Sequence, residues 1–309
     1  MDNLLELLKN RNMSQAQLKL NIKMSERVPQ ISKELETLGS KNLDLDFFNQ
    51  ANKYQETTEK LLIEEYALIT KDALEYVRQY FECFTMGDTP IIIGVTGGVG
   101  AGKTTFAKAL EKRIKIEFKD FNIISVSTDT FIYSNKELKE KKLFNQKGFP
   151  ETFDWRKLKS FLCAIRNNRN FEGDLFQYSQ ESKDLSSEKI NTNFEINSKT
   201  VFLLEGVNLS FCYTEANAKF YPAQLLDFCI YLDPDINVIK ERTIRRFVLA
   251  CHCAKAAEKA PEYFKLLINK SEHDVIRHAR KLWDNMNFKL WRKHINPYKK
   301  HANLVIRFT

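Results

Sequence analysis

No apolar run in these 309 residues reaches the roughly 18 that a spanning helix needs, and the amino terminus, MDNLLELLKN, lacks the basic-then-apolar form of a secretory signal. A cytoplasmic protein with no membrane contact is expected. Cysteine is sparse and scattered, at positions 83, 163, 212, 229, 251 and 253, which suits reduced thiols rather than a disulfide framework. The Cys251-His252-Cys253 triplet falls short of a structural zinc site, whose paired cysteines stand two to four residues apart and need a second ligand pair. Extremes of composition are missing too: 43% hydrophobic and 28% charged residues exclude a disordered or fibrous chain. The net charge of +8 comes from basic residues spread from Lys9 to Arg307, with acids interleaved even in Lys136-Glu-Leu-Lys-Glu-Lys-Lys142. Such spreading fits solvated faces and attraction for a polyphosphate, and no nucleic-acid surface is expected.

Glycine is also scarce, and half of the 10 lie between Gly94 and Gly102. The stretch follows a change of texture. Residues 1–88 read as a polar, helical extension, with apolar residues at helical spacing from Tyr54 to Phe84, until Gly87-Asp-Thr-Pro90 breaks the pattern. From there short apolar runs appear at 91–95, 123–126, 201–204, 228–232 and 304–306, mostly rich in β-branched residues. Runs of that length suit parallel strands covered on both faces, with crossover helices between several of them. The fold class expected is α/β: a doubly wound, mostly parallel sheet of the P-loop kinase type over 89–309, a helical lid or insertion near 235–290, and the amino-terminal helices packed on it.

The strand Ile91-Ile-Ile-Gly-Val95 runs into Gly97-Gly98-Val99-Gly100-Ala101-Gly102-Lys103-Thr104, which satisfies G-x-x-x-x-G-K-[ST], and a helix follows from Thr105. The loop must bend so that successive N–H groups point inward at phosphate oxygens, and side chains there would obstruct that approach. Lys103 is placed for the β- and γ-phosphates of ATP and the Thr104 hydroxyl for Mg²⁺.

A phosphoryl acceptor hydroxyl needs a carboxylate to orient it and take its proton. The next strand ends in Ser127-Thr-Asp129, and ligands bind beyond the carboxyl ends of such strands, so Asp129 is the candidate base; a helix or turn cap is the other reading. The strand Val201 to Leu204 ends in Glu205, where a carboxylate would hold Mg²⁺ directly or through water, unless it is a cap or surface acid. A helix after Asp233-Pro234 carries Lys240, Arg242, Arg245 and Arg246, either a lid that stabilises transferring charge or a solvated basic face.

These segments, together with Lys147-Gly-Phe-Pro-Glu-Thr-Phe-Asp154, Tyr178-Ser179, Leu204-Glu-Gly-Val-Asn208, Arg246-Phe247 and Leu282-Trp to Asn287, resemble type I (bacterial) pantothenate kinase over roughly residues 90–308. The Lys-Gly-Phe-Pro-Glu run followed by an aromatic and Asp distinguishes that family from its uridine kinase and phosphoribulokinase relatives. The resemblance implies ATP-dependent phosphorylation of the primary hydroxyl of pantothenate, a step of coenzyme A biosynthesis, in a homodimer. It makes Asp129 the base, gives Lys103, Thr104 and Thr105 to the nucleotide, and sets Tyr178 and Arg246 at the substrate or the moving phosphoryl group. It also points to Gln180, Thr243 and His294 as substrate positions, where family members have histidine, tyrosine and asparagine, and to Ala250 where they have phenylalanine. A kinase for another small hydroxyl compound would account for those departures, and a catalytically silent nucleotide-binding module is the reading from another class.

Overall fold

A computed structural model of the chain describes residues 18–22, 75, 78, 89–179, 184–215, 218–256 and 262–308. In chain order the strands are β1 (Leu18–Ile22), β2 (Ile91–Gly97), β3 (Asn122–Ser127), β4 (Leu175–Ser179), β5 (Asp184–Ile190), β6 (Thr200–Glu205), β7 (Tyr213–Glu215), β8 (Ala218–Phe220), β9 (Phe228–Pro234) and β10 (Leu304–Phe308). Six of them form one sheet in the order β1-β10-β9-β2-β6-β3, and every neighbouring pair is parallel. The strands β4–β5 and β7–β8 form two separate antiparallel hairpins.

Parallel strands joined by crossovers must bury both faces, and the sequence supplies two sets of side chains by simple alternation. Ile91, Ile93, Val95, Val201 and Leu203 pack on one face with Phe106, Leu110 and Ile114, a stripe at four-residue spacing along helix α1 (Lys103–Glu117). Ile92, Phe202, Leu204 and Tyr231 pack on the other with Trp155, Leu158, Phe161, Leu162 and Ile165 of helix α3 (Trp155–Arg166). Each large apolar side chain fully buried in this way contributes about 1.5–3 kcal/mol. Between those helices the short α2 (Asn135–Glu140) opens with a reciprocal capping box between Ser134 and Glu137.

The expected lid region is helical: α4 (Ile236–Ala256) and α5 (Glu272–Leu282) enclose a small third core of Cys251, Ala254, Phe264 and Val275. Beyond α5 the helical path widens into i→i+5 turns over Trp283–Asn287 and Trp291–Ile295.

The amino-terminal extension departs from its helical expectation at one described place. Leu18–Ile22 is a strand, parallel to β10 with Leu18 opposite Leu304. Its sequence, LKLNI, alternates apolar and polar residues with the period of a strand, and the edge of β10 supplies the hydrogen-bonding partner that so short a segment needs. Residues 75 and 78 are helical, and the rest of 1–88 lies outside the described residues.

Candidate active site

Sheet register sets the site. Glu205, the last residue of β6, pairs with Val95 in β2 on one side and Ser127 in β3 on the other, so the P-loop, the Asp129 turn and Glu205 leave the sheet at one level. Two buried polar residues then fasten the turn to the end of β6. The Thr128 hydroxyl donates to Asn208 Oδ1 and lies 3.0 Å from the Glu205 carbonyl, while Asn208 Nδ2 donates to the Thr128 carbonyl at 3.3 Å. Gly206 is required between them, because a Cβ there would collide with the Thr128 hydroxyl. This explains Glu-Gly-Val-Asn as a unit: the asparagine and glycine fix the distance between two carboxylates, those of Asp129 and Glu205.

The cap alternative for Asp129 is filled by its neighbour, since Ser127 Oγ accepts from the Asp129 amide at 3.4 Å. The Asp129 carboxylate instead faces cations. Burial lowers the pKa of the half-buried Lys103, and Glu205 and Asp129 oppose that shift by favouring its charge. Lys103 Nζ donates to the Gly98 carbonyl at 2.9 Å, holding the ammonium over its own loop. The first turn of α1 carries no acidic residue, which leaves its N-terminal dipole open to an anion. Thr104 is exposed at that end and Thr105 half-buried.

Arg246 lies on α4 and is exposed. Solvent reaches it, but surrounding protein disfavours its charge, against which Asp129, Tyr178 and Glu205 act. The arginine of the lid is thus within electrostatic reach of both carboxylates while remaining open to solvent. Tyr178, at the end of β4, keeps its proton well above the ordinary phenol range, chiefly through burial and then through Asp129 and Asp184. Four of the expected catalytic and metal residues, Lys103, Asp129, Glu205 and Arg246, therefore meet at one place with Tyr178.

The structure adds a residue to which the sequence alone assigned no role. Lys147 Nζ lies 5.3 Å from the centre of the Tyr178 ring and donates to Asn135 Oδ1 at 2.5 Å. Burial pulls its pKa down to about 8, with Asp184 and Asp129 opposing. Asp184 Oδ1 accepts from the Asn135 amide at 2.7 Å, so β5, α2 and Lys147 form one bracket. The loop that delivers Lys147 is self-braced: Thr152 Oγ1 donates to the Phe149 carbonyl at 2.7 Å and accepts from the Gly148 amide at 3.0 Å, while Trp155 Nε1 donates to the Pro150 carbonyl at 2.6 Å.

The remaining substrate positions fare differently. His294 stands edge-on to Phe149 at 5.9 Å and near Phe211, and burial lowers its pKa, so it is a neutral ring against an aromatic wall. Ala250 packs beside the small core whose rings, Phe247, Tyr263 and Phe264, come from α4 and the turn at 262–264. Thr243 is buried, and its hydroxyl donates to the Val99 carbonyl of the P-loop at 3.1 Å. That bond turns the hydroxyl toward the phosphate cradle. Gln180 lies outside the described residues.

A parallel sheet with a glycine-rich cradle at the end of β2, two carboxylates at the ends of β3 and β6, and a lid arginine above them defines a P-loop phosphotransferase that uses ATP and acts on a small molecule. Residues 92–249 match the model of the phosphoribulokinase/uridine kinase family, and the chain belongs to that family. Among curated relatives, the pantothenate kinase of Lactococcus lactis subsp. lactis (strain IL1403) is 31% identical over 220 residues, covering 71% of this chain and 69% of that protein. The pantothenate kinase of Streptococcus mutans serotype c is 29% identical over 240 residues, covering 78% and 76%. Among solved structures, YFH7 from Saccharomyces cerevisiae, described as a P-loop protein with a circular permutation, superposes with a TM-score of 0.52 at 14% identity, covering 78% of this chain and 99% of that one. The YGR205w protein gives 0.50 at 15%, covering 79% and 94%. At such identities the two structures speak for the fold alone. No helix among the described residues is long and apolar enough to cross a membrane.

Proposed function

We propose that this chain phosphorylates the primary hydroxyl of pantothenate with ATP, as a cytoplasmic homodimer that binds neither nucleic acid nor membrane. The observation that carries the reading is the meeting of Asp129, Lys103, Glu205, Arg246 and Tyr178 beyond the carboxyl ends of the sheet, in a chain whose curated relatives are named for that reaction.

In this mechanism Asp129 accepts the proton of the acceptor hydroxyl as its oxygen bonds to the γ-phosphorus, and the bond from γ-phosphorus to the bridging oxygen breaks to release ADP. Lys103 and the backbone amides of Gly97–Thr104 hold the phosphates, with Thr105 beside them, and Arg246 faces the charge that spreads over the moving group. Thr104 and Glu205 are the residues that would hold Mg²⁺. A hydroxyl and a carboxylate are hard oxygen donors suited to that ion, which would neutralise phosphate charge when bound. Tyr178, protonated throughout the physiological range, can donate to the acceptor, and Lys147 supplies a positive charge beside it.

Lys147 carries that charge below about pH 8 and loses it above. If it pairs with the pantothenate carboxylate, kcat/KM for the acceptor is expected to fall through an alkaline limb near pH 8. Lys147→Met should lower the plateau roughly 10- to 100-fold, the value of a hydrogen bond to a charged group, and should abolish that limb. A limb that persists unchanged in the variant would assign it to another group.

One observation favours a kinase for a different small hydroxyl compound: Thr243 faces the P-loop, so the acceptor side lacks the side chain that the resemblance places there. A coupled ATP-consumption assay across pantothenate, pantetheine, uridine, ribulose phosphate and glycerate separates the readings. Turnover of pantothenate above the others is expected. Turnover confined to another compound would replace the substrate, and ATP binding with no turnover of any would favour a silent nucleotide-binding module.

A further inference from the structure

Helix α4 touches the phosphate cradle through Ile239 and Thr243, and Arg246 follows them on the same face, the three spaced by four and three. The lowest, Ile239, is buried, and a Cβ placed on Gly98 would stand 3.4 Å from its Cδ1. One turn up, the Thr243 hydroxyl donates to the Val99 carbonyl at 3.1 Å. Gly100 lies under the same turn with φ at +87°, and a Cβ there would collide with the Thr243 hydroxyl and come within 3.2 Å of the Ile239 carbonyl. The next residue along the row is the arginine whose charge Asp129 and Glu205 favour.

We propose that Thr243 is a positioning residue, a clasp that fixes the crown of the P-loop to α4 and so sets Arg246 at a defined height over the phosphates. The proposal rests on the reading of this loop as an ATP cradle. The Val99 carbonyl sits at the middle of Gly98-Val-Gly100, where the chain must hold its amides inward. A donor on that carbonyl restrains the peptide plane without adding a side chain to the cradle. The same bond ties the loop to the helix that carries the arginine, so one hydroxyl organises both the ground-state binding of ATP and the approach of Arg246. A tyrosine carries its hydroxyl at the far end of a ring, away from the Cβ where threonine holds the donor that meets Val99. The threonine is thereby explained by the loop beneath it and not by the acceptor.

The test compares Thr243→Val, which keeps the shape and removes the donor, with Thr243→Ser, which keeps the donor. Binding of trinitrophenyl-ATP, a fluorescent analogue, is titrated without any acceptor, and KM for ATP, KM for the acceptor and kcat are measured in parallel. The valine variant is expected to weaken nucleotide binding and lower kcat, each by roughly tenfold, the effect of losing one hydrogen bond and leaving a carbonyl unpaired. KM for the acceptor should be unmoved, and serine should restore all three values to within about twofold, the hydroxyl being the part that matters. Thr243→Ala, which leaves space instead of a methyl group, is expected to behave as valine does. Wild-type nucleotide affinity and kcat in the valine variant would overturn the clasp, as would a change confined to KM for the acceptor. If the unmodified protein binds the analogue but turns over no pantothenate, the substrate is wrong and the clasp is still judged by the binding titration. Failure of the unmodified protein to bind the analogue would remove the cradle and the clasp together.

Discussion

Asp129→Asn is expected to lower kcat by roughly 100- to 10,000-fold, the range for loss of a general base, while nucleotide affinity stays within a few-fold of wild type. The separation follows from geometry. Asparagine has the shape of aspartate but cannot take a proton at neutral pH. The turn that carries it does not depend on the carboxylate, because Ser127 caps that turn and the Thr128–Asn208 pair anchors it to β6. The carboxylate does favour the charge on Lys103, but less than Glu205 does. Nucleotide binding therefore loses little, while the acceptor hydroxyl loses the group that receives its proton. Stopped-time product assays paired with a nucleotide titration give both numbers, and a variant with near-normal kcat would show that another group accepts the proton.

Much of this site is legible in sequence because each cradle residue is dictated by a local task. Bending around phosphates needs glycine, the charge needs lysine, and a strand must precede and a helix follow. Asp129 and Glu205 are legible for a related reason, since an acid directly after an apolar strand stands at the sheet's carboxyl edge whatever the rest of the fold does. What sequence does not show is what assembles across distance. Lys147, Asn135 and Asp184 are 12 and 49 residues apart in pairs that touch, and no local pattern announces a lysine whose pKa is set by burial between α2, β5 and Tyr178. The hairpin β4–β5, which holds both Tyr178 and Asp184, has no continuous apolar run and so carries no mark of a buried strand. The strand at Leu18–Ile22 is hidden because its five residues alternate inside a polar segment and find their partner at β10, some 280 residues on. Thr243 is the converse case: resemblance places it at the substrate, and its bond to Val99, 144 residues away in the chain, is visible only in the fold.

Lys103→Ala is expected to abolish measurable turnover and, unlike the Asp129 variant, to weaken nucleotide binding by roughly 30-fold or more, as truncation of one partner in an enclosed charge pair costs about 2–5 kcal/mol. The lysine is the cation seated on the cradle itself, held at the Gly98 carbonyl. Without it two carboxylates, Glu205 and Asp129, face the incoming phosphates with Arg246 and, for Asp129, Lys147 as remaining counter-charges. A nucleotide titration of the variant tests this: retained affinity would remove Lys103 from the phosphates.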